Sequence, residues 1–247
     1  MPTRKEQQQQ QQQQQQTERA NALAAMSGEC AAILPYWPVW AAAQFASDDA
    51  AKQILQFVHV WRDGDAYQIE STDGHRAFRY RLPLHEGSLP TLWRIPDAGL
   101  LLNAKPLKKA VPYAALLTVT QDLRAVFHGG KAGALAELSS VNLAGPYGVH
   151  TADDAARVSS FPSINQLWPD AHKRANAPGA PWCFNARYIR EFCAVVEKLS
   201  PNGTLRFESC ASPITPFVLS CNYEPRLGQH FEDPQLELLV MPVQVRR

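Results

Sequence analysis

The sequence predicts an α+β fold in which short helices alternate with runs of antiparallel strands, and three observations predict it. Apolar residues recur with period two in short stretches bounded by Gly, Asp and Asn, the pattern of half-buried strands. Near the C-terminus the spacing turns helical: Tyr188, Phe192, Val195 and Leu199 fall at i, i+4, i+7 and i+11 and form one core-facing stripe. The order helix, strand, strand, strand then recurs three times along the chain without evident sequence identity, a repeat of architecture.

Taken in order, residues 1–30 are a low-complexity tail around the tract Gln7–Gln16, which offers too little apolar surface to offset its ordering entropy. The folded body starts at residue 31. A short helix is expected over Val39–Phe45, entered through Pro35 and Pro38. Strands are expected at Ile54–Trp61 and Ala66–Ser71, joined at Asp63-Gly64, a dipeptide suited to positive φ, and a third at Arg76–Leu82. A second helical stretch covers Ala98–Ala110, with Pro106 kinking or ending it. Strands follow at Ala114–Thr120, Leu123–His128 and Ala132–Leu138, with turns at Gln121-Asp122 and Gly129-Gly130. A loop rich in Pro, Gly and Ala spans Asp170–Pro181. The last helix opens after Asn185, a good N-cap, and stops at Ser200-Pro201-Asn202-Gly203. Strands at Thr204–Cys210, Phe217–Cys221 and Leu236–Val243 complete the third unit. Each unit is amphipathic and needs a second layer over its open face. The chain thus divides into a tail (1–30), a domain of two units (31–170) and a single further unit (171–247).

Composition bounds the function. The 247 residues are 45% apolar and 19% charged, enough to bury a sizeable core, and no run of about 18 apolar residues predicts a membrane span. Arg4 and Lys5 run into glutamines and not into an apolar h-region, so the N-terminus does not read as a signal peptide. Cys30, Cys183, Cys193, Cys210 and Cys221 lack metal-ligand spacing and fit a reduced, cytoplasmic life as small core residues. A net charge of +1 is less than a protein gripping DNA tightly through phosphates usually carries, but it suits one that only surrounds DNA with a locally basic wall. His75 beside Asp73 invites a general-base reading. No nucleophile motif, phosphate loop or metal spacing accompanies it, and Asp73-Gly74 reads more simply as a strand-exit turn. No catalytic site, metal or cofactor is expected.

Three local sequences, in this order, are similar to the β sliding clamp of bacterial DNA polymerase III: Glu70-Ser71-Thr72-Asp73-Gly74-His75-Arg76 leaving a strand, Phe161-Pro162-Ser163-Ile164-Asn165-Gln166-Leu167-Trp168-Pro169, and Leu239-Val240-Met241-Pro242-Val243. Ala42-Ala43-Gln44-Phe45-Ala46, Phe184-Asn185-Ala186-Arg187-Tyr188, Leu205-Arg206-Phe207 and Ser212-Pro213 fit the same pattern. The resemblance covers about residues 31–245. It implies the DNA clamp fold, with helices lining an inner face and sheets outside. It also implies a non-enzymatic processivity factor that encircles duplex DNA as a closed homo-oligomer, joined through sheet edges. A standard member has three domains of two units each. Only three units are legible here, so either a different number of chains closes the ring, or the chain keeps a peptide pocket without encircling DNA.

The resemblance implies a pocket for short peptides of the replicative polymerase and clamp loader at Leu55, Thr72, Gly74, His75, Arg76, Pro162, Gln166, Leu167, Val240, Met241, Pro242 and Val243. Leu, Val, Met and Pro would supply apolar wall, and Thr72 with the His75 and Arg76 backbone a few polar contacts. Ala77 stands where the family usually has a larger aliphatic residue and Gln166 where it often has a basic one, which implies a different partner preference. The DNA-facing residues implied are Lys105, Lys108 and Lys109 on the second helix and Arg187, Arg190 and Lys198 on the last. Asp48 and Asp49 occupy a loop position where the family often has polar DNA contacts.

Overall fold

The structure, a computed structural model, describes residues 30–83, 95, 99–109, 116–120, 124–129, 136–142, 161–168, 185–199, 204–208, 217–222 and 235–240. The first unit is β1 (Cys30–Pro35), α1 (Tyr36–Ala43), β2 (Phe57–Asp63), β3 (Ala66–Thr72) and β4 (Arg76–Pro83). The second has the same order: β5 (Leu100–Asn103), α2 (Ala104–Lys109), β6 (Leu116–Thr120), β7 (Arg124–Gly129) and β8 (Ala136–Asn142). A third follows as α3 (Ala186–Leu199), β9 (Thr204–Glu208), β10 (Phe217–Asn222) and β11 (Gln235–Val240).

The opening strand of each of the first two units crosses to the other unit's sheet, β1 pairing with β6 and β5 with β2. That exchange interlocks the two units. The third unit instead extends the first unit's sheet, because β11 pairs with β4. The result is a four-stranded sheet, β1-β6-β7-β8, and a seven-stranded sheet, β5-β2-β3-β4-β11-β10-β9.

Both opening strands differ from expectation. Leu100–Asn103 is a strand where a helix is expected over Ala98–Ala110, and the helix is confined to Ala104–Lys109. Leu100, Leu101 and Leu102 are all buried, and an apolar run covered on both faces carries no period that tells strand from helix. The same holds for Ala32, Ile33 and Leu34 of β1, which the sequence does not mark as a strand. Helix α1 starts at Tyr36, earlier than expected, with Pro35 at the N-cap and Pro38 in the first turn, where its missing N–H is not needed. Gln53–Gln56 forms a 3-10 turn, so β2 opens at Phe57, and β8 lies later than expected, at Ala136–Asn142. The expected strands at Thr204–Cys210 and Leu236–Val243 are described to Glu208 and Val240.

Helix α1 packs against β2, β3 and β4 of one sheet, β1 and β6 of the other, and α2, so every one of its residues is buried. Tyr36 meets Phe127 edge-on at 4.8 Å and donates its hydroxyl to the Leu107 carbonyl at 3.2 Å; burial pushes its phenol well above the usual value. Phe45 stacks on Phe78 at 5.2 Å and touches Phe192 at 6.2 Å, which sets α3 beside α1 on one face of the seven-stranded sheet. Burying Phe192 contributes about 1.5–3 kcal/mol. Asn185 caps α3 as expected, its Oδ1 accepting the Arg187 N–H at 3.0 Å. Cys221 is buried in the same core, as a small core residue should be, and burial pushes its thiol up.

The opposite face is crossed by residues 161–168. Phe161 packs with Phe57 and Leu101, while Ile164 and Trp168 pack with Ala77, Val218 and Leu239. Between these patches His59, Glu70, Arg79 and Glu237 stand in register across β2, β3, β4 and β11, with the Arg79 guanidinium set between two carboxylates. His59 Nδ1 lies 2.8 Å from Glu70 Oε1, and Arg79 pairs with Glu237. Phe161 lies on the His59 ring at 4.8 Å, and Trp168 covers the Arg79 guanidinium at 4.4 Å. The charged row thereby anchors the strap that crosses it.

Candidate functional site

The turn between β3 and β4 organises the site. Asp73 Oδ1 accepts the backbone N–H groups of His75 and Arg76 at 2.9 and 3.0 Å. Thr72 Oγ1 accepts the Gly74 N–H at 3.0 Å and donates to the Arg76 carbonyl at 2.7 Å. Gly74 has φ 91°, in the left-handed region. A Cβ there would stand 3.4 Å from Lys52 Nζ and 3.6 Å from Leu55 Cδ1, ordinary contact distances, so the left-handed φ and not crowding calls for glycine where the 52–55 segment approaches. Lys52 Nζ closes that approach by donating to the Asp73 carbonyl at 2.9 Å. The Thr72 hydroxyl and the His75 and Arg76 N–H groups thus serve the turn itself. The Asp73 carboxylate is likewise held by backbone N–H groups and the Arg76 guanidinium, which leaves the strand-exit reading in place of a general-base pair.

Arg76 ties this turn to α3. Its guanidinium lies between the rings of Phe45 (4.9 Å) and Tyr188 (4.7 Å), binds Asp73 Oδ2 through Nε at 3.0 Å, and pairs with Glu191. Glu191 also accepts from Arg187 Nε at 2.7 Å. Burial pushes the Glu191 carboxyl up, but the Arg187 and Arg76 guanidiniums more than offset it and hold it below the usual value.

Two hollows meet at the turn. The first, of about 840 Å³, opens on the strap side and is walled by Ala51–Leu55, Thr72, Gly74–Ala77, Pro162, Ile164 and Leu239. The second, of about 570 Å³, lies on the helix side, between α1, the Ala46–Asp49 loop, the Lys108 end of α2, and α3. Lys52, His75 and Arg76 line both.

Of the expected pocket residues, Leu55, Thr72, Gly74, His75, Arg76 and Pro162 line the first hollow. Val240 does not: it is fully buried in the main core on the helix side, and strand alternation puts Leu239 in its place. Gln166 is exposed and outside the lining. The Leu167 side chain and Met241, Pro242 and Val243 lie outside the described residues. Lys52 and Ile54 are not among the residues singled out from the sequence; Ile54 read as the first residue of a strand.

Of the expected DNA-facing residues, Lys108, Arg187 and Lys198 line the second hollow. Lys105, Lys109 and Arg190 are exposed and do not line it. The basic groups there are largely partnered. Lys108 Nζ binds Asp48 Oδ1 at 2.7 Å, Arg187 binds Glu191, and Lys198 Nζ sits 5.3 Å over the Trp40 ring.

No protein-family model matches the sequence, and no curated protein is similar to it. Solved structures do match its fold. The DNA polymerase III beta chain of Streptococcus pneumoniae superposes with a TM-score of 0.51 at 13% identity, over 86% of this chain and 64% of that one. The chain has a sliding-clamp fold. The DNA polymerase III beta subunit of Thermotoga maritima gives a TM-score of 0.50 at 13% identity, over 87% of this chain and 65% of that one. The H. pylori beta clamp gives 0.50 at 10% identity, over 88% and 67%. The sliding-clamp fold is therefore present in a chain that spans less than two thirds of the S. pneumoniae and T. maritima proteins. Among the described residues no helix is long and apolar enough to cross a membrane.

Proposed function

We propose that this chain is a DNA sliding clamp, a non-enzymatic processivity factor of the DNA polymerase III beta type. In this reading it takes short peptides of the replicative polymerase and clamp loader into the 840 Å³ hollow. It surrounds duplex DNA in the cytoplasm as a closed homo-oligomer joined through sheet edges. The observation that carries the reading is the hollow itself: Leu55, Thr72, Gly74, His75, Arg76 and Pro162 come from three separate segments and meet around one apolar space. Such a space suits small apolar anchors held by few polar contacts. In this reading Leu167, Met241, Pro242 and Val243 also serve the peptide, and Met241→Ala weakens binding by about 1–2 kcal/mol.

A peptide with Gln and Leu or Phe anchors binds the full chain with micromolar affinity, about 7–8 kcal/mol, since it offers few anchors and loses conformational freedom on docking. Calorimetric titration tests this. Leu55→Asp sets an unpaired charge against the anchors and weakens binding at least about tenfold. Lys105→Ala, outside both hollows, leaves it unchanged. Parent-like binding by a folded Leu55→Asp chain defeats the assignment.

A second reading, a peptide-binding module that does not encircle DNA, is favoured by the pairing of Lys108 with Asp48 and of Arg187 with Glu191, which weakens the basic character of the helix side. Sliding needs only weak, non-specific phosphate attraction, so the clamp tolerates this. Light scattering at micromolar concentration separates the two. A ring gives an integral multiple of 27.5 kDa, and a monodisperse monomer leaves the module.

A further inference from the structure

The third unit departs from the pattern set by the first two. In those, the strand after the helix receives the other unit's opening strand: β5 lies along β2, and β1 along β6. The matching strand of the third unit is β9. It pairs with β10 on one side, and among the described residues no strand lies on the other. An open edge of this kind readily takes a further strand. The helices differ in the same way. Helix α1 packs on α2 and on β1 and β6 of the second sheet and is buried throughout. Of the described residues of α3, only Phe192, Val195 and Val196 are buried. Its side toward the first unit carries Tyr188, Glu191 and Lys198 and lines the helix-side hollow. Ile189 and Cys193, four apart, fall on the far side by helical spacing and are half-buried. Leu205 and Phe207 alternate along β9 onto the face that carries α3. Leu205 is half-buried against the core there, while Phe207, 53% exposed, is the one large apolar side chain left exposed among the described residues.

We propose that the third unit is half of a domain and that a second copy of this chain supplies the other half. The two third units pack about a twofold axis, α3 beside its counterpart, and a strand of each copy lies along β9 of the other. The first two units show how such halves join: they share one order of helix and strands, their helices touch, and their opening strands cross. Two copies of one unit can therefore build the same joint. The inference rests on the closed homo-oligomer proposed above and names its partner and its face. No stretch outside the described residues is as long as the shorter complete unit, residues 100–142, so none of them supplies the covering half. The uncovered surface is apolar at Ile189, Cys193, Leu205 and Phe207, and an apolar surface meets its own copy without bringing like charges together.

Sedimentation velocity of the full chain at micromolar concentration tests this with the parent, Phe207→Asp and Lys105→Ala. The parent sediments as an even multiple of 27.5 kDa. Phe207→Asp sets an uncompensated charge in the joint and raises the dissociation constant of the pair at least about tenfold, so the variant shifts toward half the parent's mass. Phe207 is exposed in the single chain, so the variant keeps the parent's circular dichroism. Lys105→Ala, on α2, keeps the parent's mass. If Phe207→Asp does not fold, Phe207→Ser takes its place and shifts the mass the same way. An odd multiple of 27.5 kDa overturns the twofold joint and leaves a closed ring standing, because isologous contacts join chains only in pairs. A parent oligomer that the Phe207 variants do not loosen overturns the face proposed here and also leaves the ring. A monodisperse monomer overturns the ring, and this inference with it.

Discussion

Replacing Arg76 by methionine tests whether the third unit is locked to the first through one side chain. The Arg76 side chain is 8% exposed, and its partners Asp73 and Glu191 are 18% and 31% exposed. Breaking a fully buried pair costs about 3–5 kcal/mol, because a charge is stranded without solvent. Here the carboxylates left behind keep some water, Asp73 keeps two backbone N–H groups, and Glu191 keeps Arg187. Methionine retains the apolar contact with Phe45 and Tyr188 but loses the cation–π attraction, about 0.5–2 kcal/mol. The expected loss is therefore about 2–3 kcal/mol, intermediate between an exposed and a buried pair. For a chain of this size that lowers the thermal midpoint by about 5–10 °C. Urea unfolding of the parent, Arg76→Met, Glu191→Gln and the double variant measures it, with an unchanged slope showing that only stability moved. The cycle gives a coupling of at least about 1 kcal/mol between Arg76 and Glu191. A loss below about 0.5 kcal/mol, or strictly additive variants, refutes the lock.

Gly74→Ala places a Cβ at a left-handed φ and 3.4 Å from Lys52 Nζ, and it costs about 1–2 kcal/mol in thermal or urea unfolding. Deleting residues 1–28, whose glutamine tract offers no core, leaves the thermal midpoint within about 2 °C; a fall of roughly 10 °C contradicts this. The lowered Glu191 pKa fixes a pH dependence. A carboxyl whose folded value is depressed contributes stability that is fully present above its unfolded value, near 4.5, and is lost as pH falls through the lower folded value. Thermal unfolding therefore shows the parent ahead of Glu191→Gln at neutral pH and the gap closing below about pH 4.5; a gap that persists unchanged to pH 3 contradicts the assignment.

The repeat of helix and strands was legible in the sequence because exposed faces impose a period, as the stripe Tyr188, Phe192 and Val195 and the turn at Gly64 show. The two opening strands were not, since Ala32–Leu34 and Leu100–Leu102 are buried on both faces and carry no alternation. Part of the candidate site was legible from one segment, Thr72–Arg76, whose side chains and glycine encode a turn. The choice between Leu239 and Val240 was not, because it depends on which residue of β11 pairs with Ala77, and a shift of one residue turns every side chain to the other face. Nor was Lys52, which is set at the site by the 3-10 turn that follows it, where the sequence reads as a strand from Ile54. Nothing in the local sequence signals the His59–Glu70–Arg79–Glu237 row, which exists only once four strands are in register.

The most direct test of a peptide-binding clamp is amide hydrogen exchange of the full chain with and without a saturating peptide bearing Gln and Leu or Phe anchors. The Gly74, His75 and Arg76 amides are already bonded within their turn, so they are protected in both states. Binding in the hollow adds protection at Gln53, Ile54 and Ile164, which wall it, and leaves α2 unchanged. Protection confined to the helix side around α3, or no change along the 52–55 turn at saturating peptide, contradicts the account.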